Sequence, residues 1–103
     1  MRYKSKRSRA TDIPKAVKDR VYERDGGTCI FCGHPGLPEA HCIPRSQGGL
    51  GVEQNVVTAC RVCHDAMDNG KYGGQFRVLA KAYLKKWYPD WDETKLIYKK
   101  GVT

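Results

Sequence analysis

Apolar side chains recur at helical spacing in two stretches of the chain. In the first stretch, Val17, Val21 and Tyr22 follow this spacing, Pro14 precedes them, and two adjacent glycines follow them. Proline is favoured in the first turn of a helix, whereas glycines commonly end one. The pattern therefore predicts a helix over about residues 14–24.

The second stretch lies toward the C-terminus, where apolar residues recur at i, i+3, i+4 and i+7 and basic residues occupy the opposite face. This pattern predicts an amphipathic helix over about 75–87, which Pro89 ends. We expect its apolar face to pack against the core. The apolar residues are Phe76, Leu79, Ala80, Tyr83, Leu84 and Trp87, and the basic residues are Arg77, Lys81, Lys85 and Lys86.

A short hairpin is predicted between these two helices. Its first strand is expected at about 39–43 and its second at about 55–58, and the loop at about 45–51 contains three glycines. A further helix should begin after Cys60 and stop where glycines resume. A last short element is expected at about 93–98.

Four of the five cysteines form two closely spaced pairs. Cys29 and Cys32 are separated by two residues, as are Cys60 and Cys63, and 27 residues lie between the pairs. Each such pair supplies half of a tetrahedral zinc site, so the spacing predicts one structural zinc ion bound by four thiolates. Cys42 falls inside a predicted strand, where we expect a small buried side chain; the alternative is a fifth ligand.

Basic residues outnumber acidic ones. The 103 residues include 19 Lys and Arg against 11 Asp and Glu, which gives a formal net charge of +8. Such a surface attracts a polyanion at long range, which favours a nucleic acid as partner. A chain of this length has room for one domain with a thin core, which a bound metal ion would stabilise.

The first eleven residues are rich in basic side chains and poor in apolar ones. We expect residues 1–11 to form a flexible arm that lies along a phosphate backbone, although a solubilising tail without a specific role would have the same composition. The basic residues of this arm are Arg2, Lys4, Lys6, Arg7 and Arg9.

The chain lacks the features of membrane and secreted proteins. No apolar run approaches the roughly 18 to 20 residues that span a bilayer, and the basic N-terminus has no apolar segment behind it. The odd number of cysteines also argues against a disulfide framework. We expect a soluble cytoplasmic protein, and the sequence does not indicate its oligomeric state.

The segment around the cysteine pairs has an order of residues that is found in one nuclease family. His41 begins the stretch His41–Arg45, which leads into a glycine pair; Asn55 lies five positions before the second cysteine pair, and His64 directly follows that pair. Together these features resemble the HNH endonuclease family, and its small phage-encoded members in particular, over about residues 26–69.

The resemblance implies an α+β fold, namely a small treble-clef-like ββα-metal unit that a zinc ion stabilises, with helices on either side. A single domain would span residues 12–103. The implied activity is the hydrolysis of DNA phosphodiester bonds with Mg²⁺ or Mn²⁺ as catalytic ion, leaving 3′-hydroxyl and 5′-phosphate ends. A phage-encoded member would act in the cytoplasm of the host cell.

The resemblance also assigns roles to three residues. His41 takes the position of the general base, and an imidazole with an ordinary pKa of about 6.5 can accept a proton from water near neutral pH. Asn55 takes the position that ties the loop and fixes the backbone around His41, although it could simply start a strand. His64 takes the position that offers a ring nitrogen to the catalytic ion; alternatively, it could replace a cysteine at the zinc.

The chain departs from the family pattern just before the first histidine. Relatives commonly carry a metal-binding acid or histidine there, whereas this chain has Ala40. Asp68, four residues after His64 and hence on the same face of the predicted helix, is the best substitute ligand, although it could instead be a residue of the helix end. Glu39 is a weaker candidate, because it should face the opposite side of the strand from Ala40.

Arg45, at the mouth of the expected site, is a candidate contact to a DNA phosphate, although an arginine in such a turn can be merely exposed.

Ala40 also keeps a rival interpretation open, in which a zinc module with a decayed site binds nucleic acid without cutting it. A zinc-stapled protein-interaction domain that uses Trp87 and Trp91 has no motif behind it. His34, in the loop after the first cysteine pair, is expected to be solvated or to lie beside the zinc ligands.

Overall fold

The computed structural model describes residues 5–99, and these residues form an α+β fold. Two antiparallel strands lie between helices, and two short 3₁₀ turns complete the regular structure. Arg2 and Lys4 of the predicted basic arm lie outside the described residues. In the part of the chain that is described, no helix is long and apolar enough to cross a membrane. The elements are α1 (Lys6–Thr11), α2 (Lys15–Arg24), β1 (Leu37–His41), β2 (Val56–Ala59), α3 (Arg61–Asn69) and α4 (Gly73–Trp87), with 3₁₀ turns at Arg45–Gln47 and Glu93–Leu96.

The two strands place alternate side chains on opposite faces of the sheet. Ala40 pairs with Val57 and His41 pairs with Val56, and the register is irregular between Leu37 and Ala40. Ala40 is fully buried against the core, so its neighbour His41 faces the other side of β1. The Ala40 face of the sheet therefore covers the apolar core, whereas the other face carries His41 and, beside it, Val56.

The core consists of two apolar clusters. The larger one lies between the sheet, α3 and α4, where Met67 and Leu84 are its largest buried side chains. The smaller one joins Val17 and Val21 of α2 to Val56 of β2. The two clusters pack α3 and α4 on one side of the strands and α2 near the other, which leaves the His41 face open between α2 and α3.

A buried ion pair links α2 to the sheet and to α4. The Asp25 carboxylate is fully buried and accepts hydrogen bonds from the Arg24 guanidinium, at 2.8 and 3.0 Å, and from the backbone N–H of Thr58, at 2.8 Å. The hydroxyl of Tyr83, on α4, donates to the same carboxylate. Burying a charge is costly unless it is paired and hydrogen-bonded, and Arg24, Thr58 and Tyr83 supply these partners to Asp25.

The predicted elements are present, with shifts of one to two residues at most of their ends. The clearest difference concerns the N-terminal arm, which was predicted to be flexible up to residue 11. Lys6–Thr11 instead forms a helix, capped by the Ser5 hydroxyl, which accepts from the N–H of Ser8 at 3.0 Å. The helix is held in place by Arg7, whose guanidinium donates to the carbonyls of Arg45 and Ser46 at 3.2 and 2.7 Å.

The faces of α4 also differ from the predicted ones. Leu79 and Trp87 were expected in the core, but they are 59% and 50% exposed, whereas Arg77 was expected on the outer face and turns inward. Leu79 and Arg77 flank the buried stripe on opposite sides. Arg77 turns inward because its guanidinium donates to backbone carbonyls at the end of β1 and to the Asp68 carboxylate on α3.

Candidate functional site

The four paired cysteines meet at one point of the fold. Their sulfur atoms all lie within 4.8 Å of one another, and those of Cys32 and Cys60 are 3.6 Å apart. Four thiolates around a zinc ion at about 2.3 Å would be separated by about 3.8 Å, so the cluster has the size that zinc requires. The chain therefore has a four-cysteine metal-binding site, as the spacing predicted.

Backbone amides support this site. Burial raises the pKa of the Cys29 thiol, but hydrogen bonds from the N–H groups of Cys60, Phe31 and Cys32 outweigh it and lower the pKa to about 7. The thiolate is the form that binds a metal ion. His34 Nδ1 lies 3.2 Å from the sulfur of Cys32, which puts this histidine beside the ligands.

The fifth cysteine and the histidine after the second pair are not part of the cluster. Among the described residues, only the four paired cysteines bring three or more metal-binding groups this close together. Cys42 is fully buried in the larger apolar cluster, where burial raises the pKa of its thiol to about 11. His64 points into a separate groove, so the structure does not support it as a zinc ligand.

This groove, of about 860 Å³, brings together most of the residues predicted to carry chemistry. It lies where the polar face of β1 meets α3, the start of α2 and the loop after β1. The predicted residues that line it are His41, Arg45, His64 and Asp68, and the other lining residues are Asp12, Ile13, Pro14, Lys18, Glu39, Pro44, Ser46 and Arg77.

His41 is held in one orientation by the N-terminal segment. Its Nε2 donates to the backbone carbonyl of Thr11 at 2.8 Å, because a carbonyl oxygen can only accept. Nδ1 is then the nitrogen without a proton. Burial lowers the pKa of His41, and the nearby charges of Arg45 and His64 lower it further, against the opposing effects of the Thr11 hydrogen bond and Asp68. The ring is therefore neutral at pH 7, with Nδ1 free to accept a proton.

Asn55 is fully buried and closes the loop that follows His41. Its side-chain oxygen accepts from the N–H of Ile43 at 2.8 Å, and its amide donates to the carbonyls of Ile43 and Leu50 at 3.2 and 2.9 Å. Gly49 packs so closely here that a Cβ would lie 1.7 Å from the carbonyl oxygen of Ile43. Asn55 therefore acts on the backbone around His41 and is not a lining residue of the groove.

His64 and Asp68 lie one turn apart on the groove side of α3. His64 Nε2 is 3.1 Å from Asp68 Oδ2, and the other carboxylate oxygen, Oδ1, accepts from the Arg77 guanidinium at 3.0 Å. Both side chains are partly exposed to the groove. The spacing of four residues on a helix accounts for this pair.

Sequence reasoning underweighted Glu39 and missed the part played by Thr11. Glu39 does face away from Ala40, as expected, but that side of β1 is the groove side, which it shares with His41. The signal was available, because residues two apart on a strand lie on one face. Thr11 acts through its backbone carbonyl, which no residue pattern reveals.

The basic residues predicted to bind DNA lie in different environments. Arg45 is half exposed at the groove and pairs with Asp12. Arg7 is engaged by the two loop carbonyls, whereas Lys6 and Arg9 are exposed on α1. Lys18 adds a cation to the groove wall, 3.7 Å from Glu39.

Comparison with known proteins gives a family match. The family model described as HNH endonuclease matches residues 29–70, a segment that begins at the first cysteine of the cluster and runs to the end of α3. No curated protein and no solved structure matches the chain. The matched segment contains all four cysteines together with His41, Asn55, His64 and Asp68. Residues 29–70 are thus similar to the HNH endonuclease family of domains.

Proposed function

We propose that the protein is a metal-dependent DNA endonuclease that hydrolyses phosphodiester bonds in the groove beside β1. The observation that carries the proposal is the convergence of His41, His64 and Asp68 on one groove within the segment that matches a nuclease family. The net charge of +8 supports a polyanionic substrate.

His41 is the general base of this proposal. Its Nδ1 accepts a proton from the attacking water, whose oxygen forms the new bond to phosphorus while the bond to the leaving oxygen breaks. The leaving oxygen takes up a proton from solvent. The Thr11 carbonyl holds Nε2–H throughout, so the ring does not need to reorient between its neutral and protonated forms.

Asp68 and His64 are the residues that would hold the catalytic divalent ion. Adjacent ligands of an octahedral ion bound at about 2.1 Å lie about 3.0 Å apart, and the 3.1 Å between Asp68 Oδ2 and His64 Nε2 fits that separation. Mg²⁺ or Mn²⁺ bound there would supply Lewis-acid stabilisation of the charge that develops on the phosphate. Glu39 adds a further carboxylate to the lining of the same groove.

The cations of the groove would position the substrate. Arg45 and Lys18 lie at the groove, and Arg45 carries the planar donor fork that suits a phosphate. Contacts of this kind to the DNA backbone give affinity and orientation but do not read the base sequence.

A plasmid-nicking assay with a panel of divalent metals tests the proposal. His41→Ala should lower the cleavage rate by about 100-fold or more, the usual scale for a positioned general base, and should leave zinc content and DNA affinity unchanged. Gln75→Ala is the control, because Gln75 is exposed and lies outside both the groove and the cysteine cluster. Loss of DNA binding in step with cleavage would assign His41 a structural role.

The same assay tests the ion site through Asp68→Ala. Loss of a carboxylate ligand should raise the Mn²⁺ or Mg²⁺ concentration needed for half-maximal cleavage, and the defect should shrink at high metal concentration. A lost base would not be rescued in this way. An unchanged metal titration would remove Asp68 from the ion site.

One observation favours the rival function, a nucleic-acid-binding module that does not cut. Ala40, at the position where the family commonly carries a ligand, is fully buried, so the groove lacks that ligand. On that interpretation the wild-type protein binds DNA with steep salt dependence and nicks no plasmid with any metal in the panel.

A further inference from the structure

Arg77 is the one basic residue of α4 that reaches the groove, and its side chain is only 20% exposed. It lies outside the segment that matches the family model. The sequence marks it only as one member of the basic face of the C-terminal helix, which was expected to face outward. Its contacts nevertheless connect the two halves of the candidate site.

The guanidinium of Arg77 donates to both sides of the groove. Nη1 donates to the backbone carbonyls of His41 and Cys42 at 3.0 and 2.7 Å, and Nη2 donates to Asp68 Oδ1 at 3.0 Å. One rigid planar group therefore ties the end of β1, which carries His41, to the side chain of Asp68 on α3.

The pattern of contacts differs from that of a purely structural arginine. Arg24 is also turned inward, but its acceptors are the Asp25 carboxylate, the Tyr88 hydroxyl and the carbonyls of Glu53 and Val56, and none of these residues lines the groove. Arg77 instead donates to the backbone of His41, the proposed base, and of its neighbour Cys42, and to the carboxylate of Asp68, the proposed metal ligand. Both of its Nη atoms are thereby engaged, Nη2 also lying 3.5 Å from the Met67 carbonyl, which leaves them poorly placed to bind a phosphate.

We propose that Arg77 is a positioning residue of the nuclease site, which sets the spacing between His41 and the His64–Asp68 pair without contacting the substrate. This inference rests on the proposed function. Arg77 occupies Asp68 Oδ1 and thereby directs Oδ2 toward His64 and the groove. Because a small misplacement of reacting groups slows catalysis strongly, the charge of Arg77 matters less than the geometry of its fork.

Arg77→Lys tests this distinction, because lysine keeps the charge and loses the planar fork. We expect cleavage to slow by roughly 10- to 100-fold in kcat, with DNA affinity and its salt dependence unchanged. Arg20→Lys is the matched control, since Arg20 is an exposed arginine that pairs with Glu53 away from the groove, and it should behave as wild type. Cleavage by Arg77→Lys at the wild-type rate would overturn the proposal.

Arg77→Met separates positioning from direct phosphate binding. If Arg77 contacted a phosphate, Arg77→Met would weaken DNA binding and reduce the salt dependence of affinity by about one ion, whereas Arg77→Lys would retain both. That result would overturn the positioning role. Zinc content and thermal unfolding report whether each variant folds; if Arg77→Lys does not fold, Arg77→Gln, which can still donate to a carbonyl, replaces it.

Nuclear magnetic resonance of the histidine rings separates failure of this inference from failure of the proposed function. If wild-type protein does not cut DNA, the proposed function falls, but the positioning role still predicts that the ring signals of His41 and His64 shift in Arg77→Lys and not in Arg20→Lys. Ring signals that match wild type in both variants would overturn the positioning role, whatever the activity.

Discussion

At the scale of single residues, the environment of His41 predicts how cleavage depends on pH. Burial lowers the pKa of His41 below its ordinary 6.5, and a general base works in its neutral form. The rate should therefore fall only as pH drops below 6.5, and it should be flat from about pH 7 upward as far as this group is concerned. Single-turnover rates measured at saturating metal between about pH 4.5 and 8 check this.

The same shift has a consequence for stability. The native state holds the His41 proton more weakly than the unfolded chain does, so this group destabilises the fold as pH falls below about 6.5. His41→Ala should weaken that part of the acid dependence of the free energy of unfolding. A cleavage rate that falls to half of its maximum at a pH above 6.5 would contradict the role of His41 as a buried base.

Residue patterns predicted the side chains that share a local motif, and failed where a contact joins distant parts of the chain. The cysteine pairs and the His64–Asp68 pair follow from spacings of three and four positions along the chain, and His41 was assigned through the resemblance of the motif around it. Arg77 could not be assigned, because its acceptors lie 9 to 36 positions away and a helical wheel does not show them. Thr11 uses a backbone atom, which carries no residue signal.

At the scale of elements, α1 divides the basic arm into two kinds of residue. Lys6 and Arg9 are exposed and can neutralise phosphates, whereas Arg7 holds the loop that carries Arg45. Replacing Lys6 and Arg9 together by glutamine should weaken DNA binding and lower the slope of log affinity against log salt by up to about two. Filter-binding or anisotropy titrations between about 50 and 200 mM salt measure this slope.

Arg7→Gln should have a different effect. It removes the link between α1 and the loop, so its effect should include a lower melting temperature and slower cleavage, beyond any change in salt slope. If the slope of log affinity against log salt is the same in wild type and in the Lys6 and Arg9 double variant, these two residues do not bind phosphates and serve only as a solubilising tail.

The elements themselves followed from periodicity, and their ends and faces followed less well. The α4 stripe was placed correctly at Ala80 and Leu84, which are fully buried. Leu79 was misplaced because α4 has a packing partner on only part of its circumference, which the pattern of a single helix does not contain. The N-terminal helix was missed because Lys6–Thr11 has a single buried residue, Thr11, and is held by contacts from its own side chains to a remote loop.

At the scale of the whole molecule, the four-cysteine site should supply folding free energy. The apolar clusters are small, and structural zinc contributes to folding outright in domains of this kind. Stripping the metal, or making Cys29→Ser, should abolish the cooperative thermal transition. Cys42→Ser is the control outside the cluster: it should retain stoichiometric zinc. Cooperative unfolding of a purified protein that contains no stoichiometric metal would contradict the prediction.

The buried Asp25 carboxylate bears on how much of the chain a transplanted unit must include to keep the proposed nuclease site. Asp25 and its donor Tyr83 both lie outside residues 29–70, yet Asp25 accepts the N–H of Thr58 in the middle of that segment. A graft of residues 29–70 alone into a fusion protein would leave that amide without its acceptor. It would also expose the Met67 side of α3 to solvent and omit Arg77. A working graft therefore has to carry α2 and α4 with the family-matched segment.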